Sequence, residues 1–411
     1  MPSSIRFANE APRQVRAGGR AAERALFELT RGETLRVTGP APGKPAQPLL
    51  VAAVESLEAP ALAWLREVAA SPLRLVVTPS RAQAMGLPAE WVTRIASGVL
   101  ANGGLNGDGR PGALSLTLPA GATAGEILRL AAASGKHHPG HGELRPASPR
   151  EAAALALARL GRLLPALVSA EVTPDGEDHV RQLGVMEIRT GEIWRVAGAG
   201  TLGVRRITEA PVPLEEAENA RFVLFREAGG LYEHVAILIG LPESWPDPVP
   251  VRLHSACLTG DLYGSLRCDC GEQLRGSLRA FVAKGGGVLL YLAQEGRGIG
   301  LANKLRAYAL QEEGLDTIEA DCALGFGPDE RTYEAAISML GEFGIRRVEL
   351  LTNNPDKVAA LETGGIEVLR REPLHGTVNR HNLPYVRAKV HRAGHWLEEM
   401  LAGYAGPDGS G

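Results

Sequence analysis

Cysteine is scarce in this chain, at four in 411 residues, and aromatic residues make up only 5% of it. So few cysteines exclude the disulfide framework of a small secreted protein. The opening stretch MPSSIRFANEAPRQVR has no apolar run of the kind that marks a leader peptide, so the expected compartment is the cytoplasm. Long hydrophobic runs are missing too: none reaches the roughly 20 residues that span a bilayer, and no membrane partner is expected. Charge of one sign is not in excess, since 44 Lys and Arg against 47 Asp and Glu leave a net −3. That balance gives no electrostatic footprint for nucleic acid. The chain is also too long for one ordinary core, which implies two domains of packed α and β elements.

Three of the four cysteines are gathered in one run, RLHSACLTGDLYGSLRCDCGEQL, as Cys257, Cys268 and Cys270. Close, soft thiolates in a reducing compartment are the donor set of a tetrahedral Zn2+ site, and three protein ligands leave the fourth position to water, as catalysis needs. The polar neighbours Arg267, Asp269 and Glu272 argue against buried apolar cysteines. Cys322, in ADCALGFG, is the residue that could close the site as a fourth ligand and make it structural.

Composition shifts along the chain. Residues 1–172 are rich in Ala, Leu and Arg, and 173–204 hold turn signals (PDG, TGE, GAG) around short apolar runs and read as a connecting segment. Residues 205–402 alternate strand-like and helix-like blocks, and 403–411 read as a disordered tail. Within the third segment, RFVLFRE, HVAILIG, VPVRLHS, GVLLYL, VELLT and IEVLRRE fit strands, while LRGSLRAFVAKGG, LANKLRAYALQEEG and PDKVAALETGG fit helices. A further helix is expected to open at Pro328 in PDERTYEAAISMLGEFG, with Asp329 and Arg331 in its first turn.

The sharp motifs fall at strand-to-helix junctions, where α/β proteins bind ligands. After GVLLYL come Gln294, Glu295, Gly296 and Arg297; the glycines let the backbone approach a ligand, and the arginine offers a fork for phosphate or carboxylate. The G-x-G-x-G string here is not the G-x-G-x-x-G of a dinucleotide site. Asp329 and Arg331 at a helix start suit an anion, although a dipole-capping Asp beside a surface ion pair would look the same. In VELLTNNPDKVAAL, Asn354 can cap the helix that Pro355 opens, with Thr352 and Lys357 at the same edge. An open metal site with three such junctions describes a pocket in which metal-activated water attacks a phosphorylated, nucleotide-like substrate.

RLHSACLTGDLYGSLRCDCGEQL, QEGRGIGLANKLRAYALQEEGLDT, LGFGPDERTY and LLTNNPDK together resemble GTP cyclohydrolase II, the enzyme that opens riboflavin biosynthesis, over roughly residues 205–400. The resemblance implies an α/β domain with a mixed sheet that hydrolyses GTP to formate, pyrophosphate and 2,5-diamino-6-(5-phosphoribosylamino)pyrimidin-4(3H)-one. It implies one Zn2+ per chain on Cys257, Cys268 and Cys270, activating water for attack at C8 of guanine, and Mg2+ on the phosphates. The GTP site it implies comprises Arg252, Leu253, His254, Ser255, Ala256, Gln273, Glu295, Gly296, Arg297, Thr317, Thr352 and Lys357. Asp329 matches the family's proton acceptor, Arg331 its nucleophile at the α-phosphorus, and Tyr308 a position that completes ring opening. A nucleophilic arginine sits badly with a pKa above about 12, so charge stabilisation is the simpler role. Residues two apart do not face each other on a regular helix either, which leaves proton transfer from Arg331 to Asp329 without geometry. Ala256 stands where the family often carries an acidic residue, as HSAC in place of HSEC, and keeps open a different product.

LLVAAVESLEAPALAWL and KHHPGHGELRPASPREAAALALARL resemble, more faintly, 3,4-dihydroxy-2-butanone 4-phosphate synthase, a homodimeric domain commonly fused ahead of GTP cyclohydrolase II. That family's acidic Mg2+ loop, of the type DDEDRENE, has no counterpart near residues 36–50, where the chain reads RVTGPAPGKPAQPLL. Hard Mg2+ wants carboxylate oxygens, so this domain is expected to be catalytically inert and to persist as a dimerisation or docking surface. His137, His138 and His141 read as a solvated loop or a remnant of a substrate-binding turn in preference to a metal site. The combined reading is an enzyme, a GTP cyclohydrolase II behind a degenerate synthase-like α/β domain, acting as a homodimer. The alternatives are a paralogue giving another product from a purine nucleotide, and a non-catalytic nucleotide-binding regulator that kept zinc for structure.

Overall fold

The computed structural model describes residues 13–39, 48–101, 112–133, 142–198, 203–227, 232–397 and 401–402. His137, His138, His141 and the tail 403–411 lie outside these described residues. The chain divides into two compact units, one of Met1–Ala131 with Gly135–Ala199 and the other of Ala132–Ser134 with Gly200–Gly411. Among the described residues no helix is long and apolar enough to cross a membrane.

The first unit is built on a sheet of β1 (Leu35–Thr38), β2 (Leu49–Ala53), β3 (Arg74–Val77), β4 (Leu114–Thr117), β5 (Leu144–Pro146), β6 (Ala166–Glu171) and β7 (Glu187–Arg189), in the order β5-β4-β3-β6-β2-β1-β7. Neighbours run antiparallel except β1 and β7, which are parallel. The helix Pro149–Leu160 starts in a capping box, with the Ser148 hydroxyl on the Glu151 N–H and the Glu151 carboxylate on the Ser148 N–H. Its residues Ala152 to Ala158 are all buried, because small side chains let it lie close against the sheet.

The segment 173–204, read as a connection, is instead largely part of this unit. It folds as the helix Pro174–Gln182, β7 and the helix Thr190–Gly198. PDG and TGE, read as turn signals, instead open the two helices; Thr173 caps the first, and Gly184 takes a φ of 67° before β7. Ile188 and Ile193 then enter the core, which an apolar count over so short a stretch does not reveal.

The second unit carries β8 (Val204–Pro211), β9 (Ala220–Glu227), β10 (Glu233–Ile239), β11 (Val249–Ser255), β12 (Gly287–Leu292), β13 (Arg347–Leu351) and β14 (Glu367–Glu372), in the order β14-β13-β11-β12-β10-β9-β8. From β14 to β12 the pairing is parallel; from β12 to β8 it is antiparallel. Successive side chains of a strand point to opposite faces, and both faces here are covered. Val288 and Leu290 of β12 join Ala336, Met339 and Leu340 on one side, while Leu289 meets Leu278 and Phe281 on the other. That two-sided burial explains why GVLLYL is apolar throughout, and each such Leu or Val contributes about 1.5–3 kcal/mol.

One helix boundary differs from the sequence expectation. The helix expected at Pro328 begins at Glu334, and residues 328–333 form an irregular loop. Side chains compete there for the N–H groups a helix would leave to its first turn: the Asp329 carboxylate takes the Arg331 N–H at 3.0 Å, and the Glu330 carboxylate takes that of Gly327 at 2.5 Å. The Glu330 N–H is held by the Arg297 carbonyl at 3.1 Å.

Gly287 lets β12 enter beneath the helix Cys270–Ala283, since a Cβ there would lie 2.7 Å from Phe281 Cδ1 and 2.8 Å from the Pro250 carbonyl oxygen. Gly287→Ala is therefore expected to lower unfolding free energy by about 1–3 kcal/mol, the usual cost of overpacking. Urea denaturation measures it, and an unchanged midpoint would show that Phe281 yields freely.

Candidate active site

The parallel strands β13, β11 and β12 lie side by side and end at one edge of the sheet, so the segments leaving them converge. Ala256 and Cys257 follow β11, Gln294 to Arg297 follow β12, and Thr352 to Asn354 follow β13. They bound a cavity of about 400 Å³.

At one end of it, the Sγ atoms of Cys257, Cys268 and Cys270 all lie within 4.8 Å of one another. Cys270 opens the helix Cys270–Ala283, and the Cys257 and Cys268 sulfurs are 3.7 Å apart. Bonds from Cys268 and then Cys270 hold the Cys257 thiol far below its ordinary range, whereas the bond with Cys257 pushes Cys268 up to about 11, and bonds with Cys257 and Cys268 push Cys270 well above normal. Lys304 already donates to Cys257 Sγ at 3.1 Å, to Thr259 at 3.0 Å and to Glu295 at 2.8 Å. Gly260 leaves the room: a Cβ there would lie 2.6 Å from Cys268 Sγ and 3.0 Å from Cys257 Sγ. Soft, mutually close sulfurs facing a cavity fit a Zn2+ ion with one open position. Among the described residues no fourth Cys, His or carboxylate joins the group, and Cys322 stands apart from it.

The rest of the wall is cationic and interlocked. Buried Arg252 donates to the Leu351 carbonyl at 2.9 Å and to Gln273 Oε1 at 2.5 Å; Gln273 donates to Asp269, whose other oxygen receives Lys389 at 3.2 Å. Lys357 donates to the Leu253 carbonyl at 2.7 Å, and burial, reinforced by Arg252 and Arg331, pushes its pKa well below the usual lysine range. Thr352 Oγ1 accepts the Asn354 N–H, and Asn354 caps the next helix on the Asp356 N–H at 2.9 Å, as the sequence suggested. Buried Arg252 Nε, Asn354 Nδ2 and His254 Nδ1 have no protein partner, and all three residues line the cavity.

Arg331 Nε faces both Asp329 oxygens, at 2.9 and 3.1 Å, and Nη2 reaches Oδ2 as well. This is the pairing a regular helix forbids at a spacing of two, and the irregular loop permits it. Burial opposes the Arg331 charge, but Tyr333 and the Asp329 bonds hold the guanidinium above its ordinary pKa. Arg297, at a φ of 60° between Gly296 and Gly298, donates to the Pro328 carbonyl and pairs with Asp321 at 3.5 Å. Tyr308 lies beneath Arg267, whose guanidinium carbon is 4.8 Å from the ring centre.

All the expected site residues line this cavity except two. Leu253 turns its side chain into the core and offers only its carbonyl, to Lys357, because alternate residues of β11 face away from one another. Asp329 does not line the cavity and reaches it through Arg331. Missed were Lys304, Asp321, and the segment holding Arg380, His381, Tyr385, Lys389 and His395. A lysine in an apparently amphipathic helix gives no signal. In LDTIEADC, however, the Asp316 capping box with Glu319 marked a helix, Thr317–Ala323, that brings Thr317 and Asp321 to one face.

A family model for GTP cyclohydrolase II matches residues 205–373. GTP cyclohydrolase-2 of Xylella fastidiosa (strain 9a5c) is 40% identical over 92% of this chain and 87% of its own length. The chain belongs to the GTP cyclohydrolase II family. It is thus an enzyme, and most of the cavity lining falls in the part that the family model matches. The riboflavin biosynthesis protein RibBA of Bacillus subtilis (strain 168) is 53% identical over 40% of this chain and 42% of its own length. Among solved structures, a two domain 3,4-dihydroxy-2-butanone 4-phosphate synthase from A. baumannii covers 86% of this chain and 99% of its own, at 18% identity and a TM-score of 0.33, too distant to bear on function. The cavity also uses residues past the end of the family match, since Tyr385 and Lys389 lie on the helix Leu383–Ala393.

Asp321 is 3% exposed. Burial raises its carboxyl to about 7, with Arg297 opposing and Asp329, Glu330 and Asp316 adding to the rise. An acid with a higher pKa folded than unfolded supports the native state fully below its unfolded value and loses that support as pH rises through the folded one. Asp321→Asn should therefore gain stability over the parent between pH 5 and pH 8. Melting temperatures at both ends measure it; a constant difference would mean that Asp321 is already ionised at pH 5.

Proposed function

We propose that the second unit carries out zinc-dependent hydrolysis of GTP to formate, pyrophosphate and 2,5-diamino-6-(5-phosphoribosylamino)pyrimidin-4(3H)-one, the first step of riboflavin biosynthesis. The observation that carries this reading is the open three-thiol cluster on the same cavity as four basic side chains, Arg252, Arg297, Arg331 and Lys357. Cys257, Cys268 and Cys270 would hold Zn2+, which when bound supplies Lewis acidity and an activated water for opening the imidazole ring.

The chain's own residues then have separable tasks. The unpartnered donors Arg252 Nε and Asn354 Nδ2 are available to oxygens of the nucleotide, and a buried donor without an acceptor favours a ligand that supplies one. Burial keeps the Tyr308 phenol protonated, so it can give a hydrogen bond or a proton to the opening ring. Arg331, held charged by Asp329, stabilises the charge that grows on the α-phosphate as pyrophosphate leaves, with no covalent bond to the enzyme. Mg2+ carried in with the triphosphate would neutralise charge on its outer phosphates.

For residues 1–172 we assign an assembly role, in a homodimer, and no synthase activity. Glu151, the buried carboxylate of that unit, is already saturated by Arg145, Ser115, Ser169 and the Ser148 N–H, which leaves no oxygen for Mg2+.

Full-length protein incubated with GTP, Zn2+ and Mg2+ should release formate. Cys268→Ser should lose both zinc and ring opening, while Cys322→Ser keeps one zinc per chain. Zinc lost with Cys322 would make the site closed and structural; GTP bound but unconverted would favour a regulator, and a retained formyl group a paralogue.

Arg331→Ala should abolish pyrophosphate release, because the α-phosphate charge loses its partner. Arg331→Lys keeps charge but not the fork, and should retain a measurable fraction of turnover. A phosphoryl group trapped on Arg331 of the parent enzyme would establish covalent catalysis instead.

A further inference from the structure

Cys257 is the cavity's most constrained thiol. It leaves β11 at φ −143°, ψ 85° and caps the helix Leu258–Asp261, four residues long. So short a helix has no stability of its own, and something outside it must fix the direction of the sulfur. Asp261 closes the turn twice: its N–H donates to the Cys257 carbonyl at 2.7 Å, and its Oδ2 accepts the Cys257 N–H at 2.9 Å. The same oxygen accepts the Tyr291 hydroxyl at 2.9 Å, and His254 Nε2 lies 3.1 Å from both oxygens. An ionised carboxylate only accepts, so Nε2 carries the proton.

His254 and Tyr291 are register partners on β11 and β12, with rings stacked 5.6 Å apart at an interplanar angle of 15°. The Cys257 turn is thereby fastened, through one carboxylate, to two neighbouring strands in the middle of the sheet. His254, expected at the nucleotide, spends its Nε2 on this network and keeps Nδ1 without a protein partner in the cavity lining.

We propose that Asp261 is a positioning residue for the metal: with Tyr291 and His254 it fixes the Cys257 turn so that its sulfur meets those of Cys268 and Cys270 before the ion arrives. The inference rests on the zinc reading above. Carboxylates and phenols that orient ligands in this way typically change metal affinity 10–100-fold when removed. The contact is a charge-assisted bond to the backbone of the ligand residue itself, so it acts on where the sulfur sits and not on its chemistry.

The test uses full-length protein, with zinc affinity read by competition against a chromophoric chelator and geometry read from the thiolate-to-metal absorption bands of the Co2+-loaded form. Asp261→Asn should weaken zinc binding 10–100-fold and shift the Co2+ bands. Tyr291→Phe, which spares the Cys257 bond, should weaken it by less, in the same direction, with the metal-free melting temperature near that of the parent. Parental affinity and spectrum in a folded Asp261→Asn overturn the proposal while leaving the zinc reading standing, as does a fall in metal-free stability with unchanged Co2+ bands. If Asp261→Asn does not fold, Tyr291→Phe decides alone: weaker binding supports the proposal and unchanged binding overturns it. A parent protein that binds no zinc removes the basis of both readings.

Discussion

The parallel pairing of β13, β11 and β12 is the constraint on which the catalytic unit depends. Parallel neighbours end at the same edge, so three segments far apart in the chain must leave the sheet together: Ala256–Cys257, Gln294–Arg297 and Thr352–Asn354. The antiparallel half, β10 to β8, offers no such convergence and serves to cover the core. Because β11 and β12 are buried on both faces, their positions are set by packing and cannot drift with the loops.

Convergence creates an electrostatic difficulty that the site answers residue by residue. Arg252, Arg297, Arg331, Lys357 and Lys389 share one cavity, and taking several cations out of water is costly unless each finds a partner. Arg331 has Asp329, Lys389 has Asp269, and Arg297 has Asp321 at a longer 3.5 Å. Lys357 has only a carbonyl, and its depressed pKa is the consequence. At the thiol end the imbalance is reversed, with three sulfurs gathered beside Lys304. On the proposed reading, a nucleotide triphosphate at one end and a dication at the other would relieve both strains.

Much of this was legible in the sequence. The six strand-like runs of the catalytic unit are strands, and in β12 burial on both faces forces an apolar run that needs no periodicity to be seen. Cys257, Cys268 and Cys270 announced themselves by spacing, and the Asn354–Pro355 start by capping chemistry. What failed was decided by side chains competing with the backbone. Pro328 looked like a first helical residue, but the Asp329 and Glu330 carboxylates took nearby N–H groups and kept the loop open. Leu253 was expected at the substrate because its neighbours are there, yet strand alternation turns it inward. Lys304 acts on Cys257, and Asp261 meets Tyr291, through contacts between distant parts of the chain, which no local pattern encodes.

The open loop at 328–333 also removes an obstacle that the sequence had raised. On a helix, Asp329 could not reach Arg331; off it, the carboxylate grips the guanidinium along its Nε–Nη2 edge. The loop keeps that shape because it is locked to the turn after β12. A Cβ on Gly298 would lie 2.7 Å from the Glu330 carbonyl group, so only glycine permits the approach, and the Arg297 carbonyl receives the Glu330 N–H. Arg297 itself sits at a φ of 60°, a conformation that costs a non-glycine residue about 1–3 kcal/mol and persists only when its surroundings hold it. Those surroundings are the Pro328 carbonyl and Asp321. The turn and the loop therefore strain and support each other as one unit, which places the guanidinium of Arg331 by the same contacts that fix Arg297. A charge-stabilising role needs this kind of fixed placement, since a preorganised cation loses little on meeting the developing charge. A nucleophile would need the opposite, a guanidinium freed from its carboxylate and deprotonated, and the Asp329 bonds work against that.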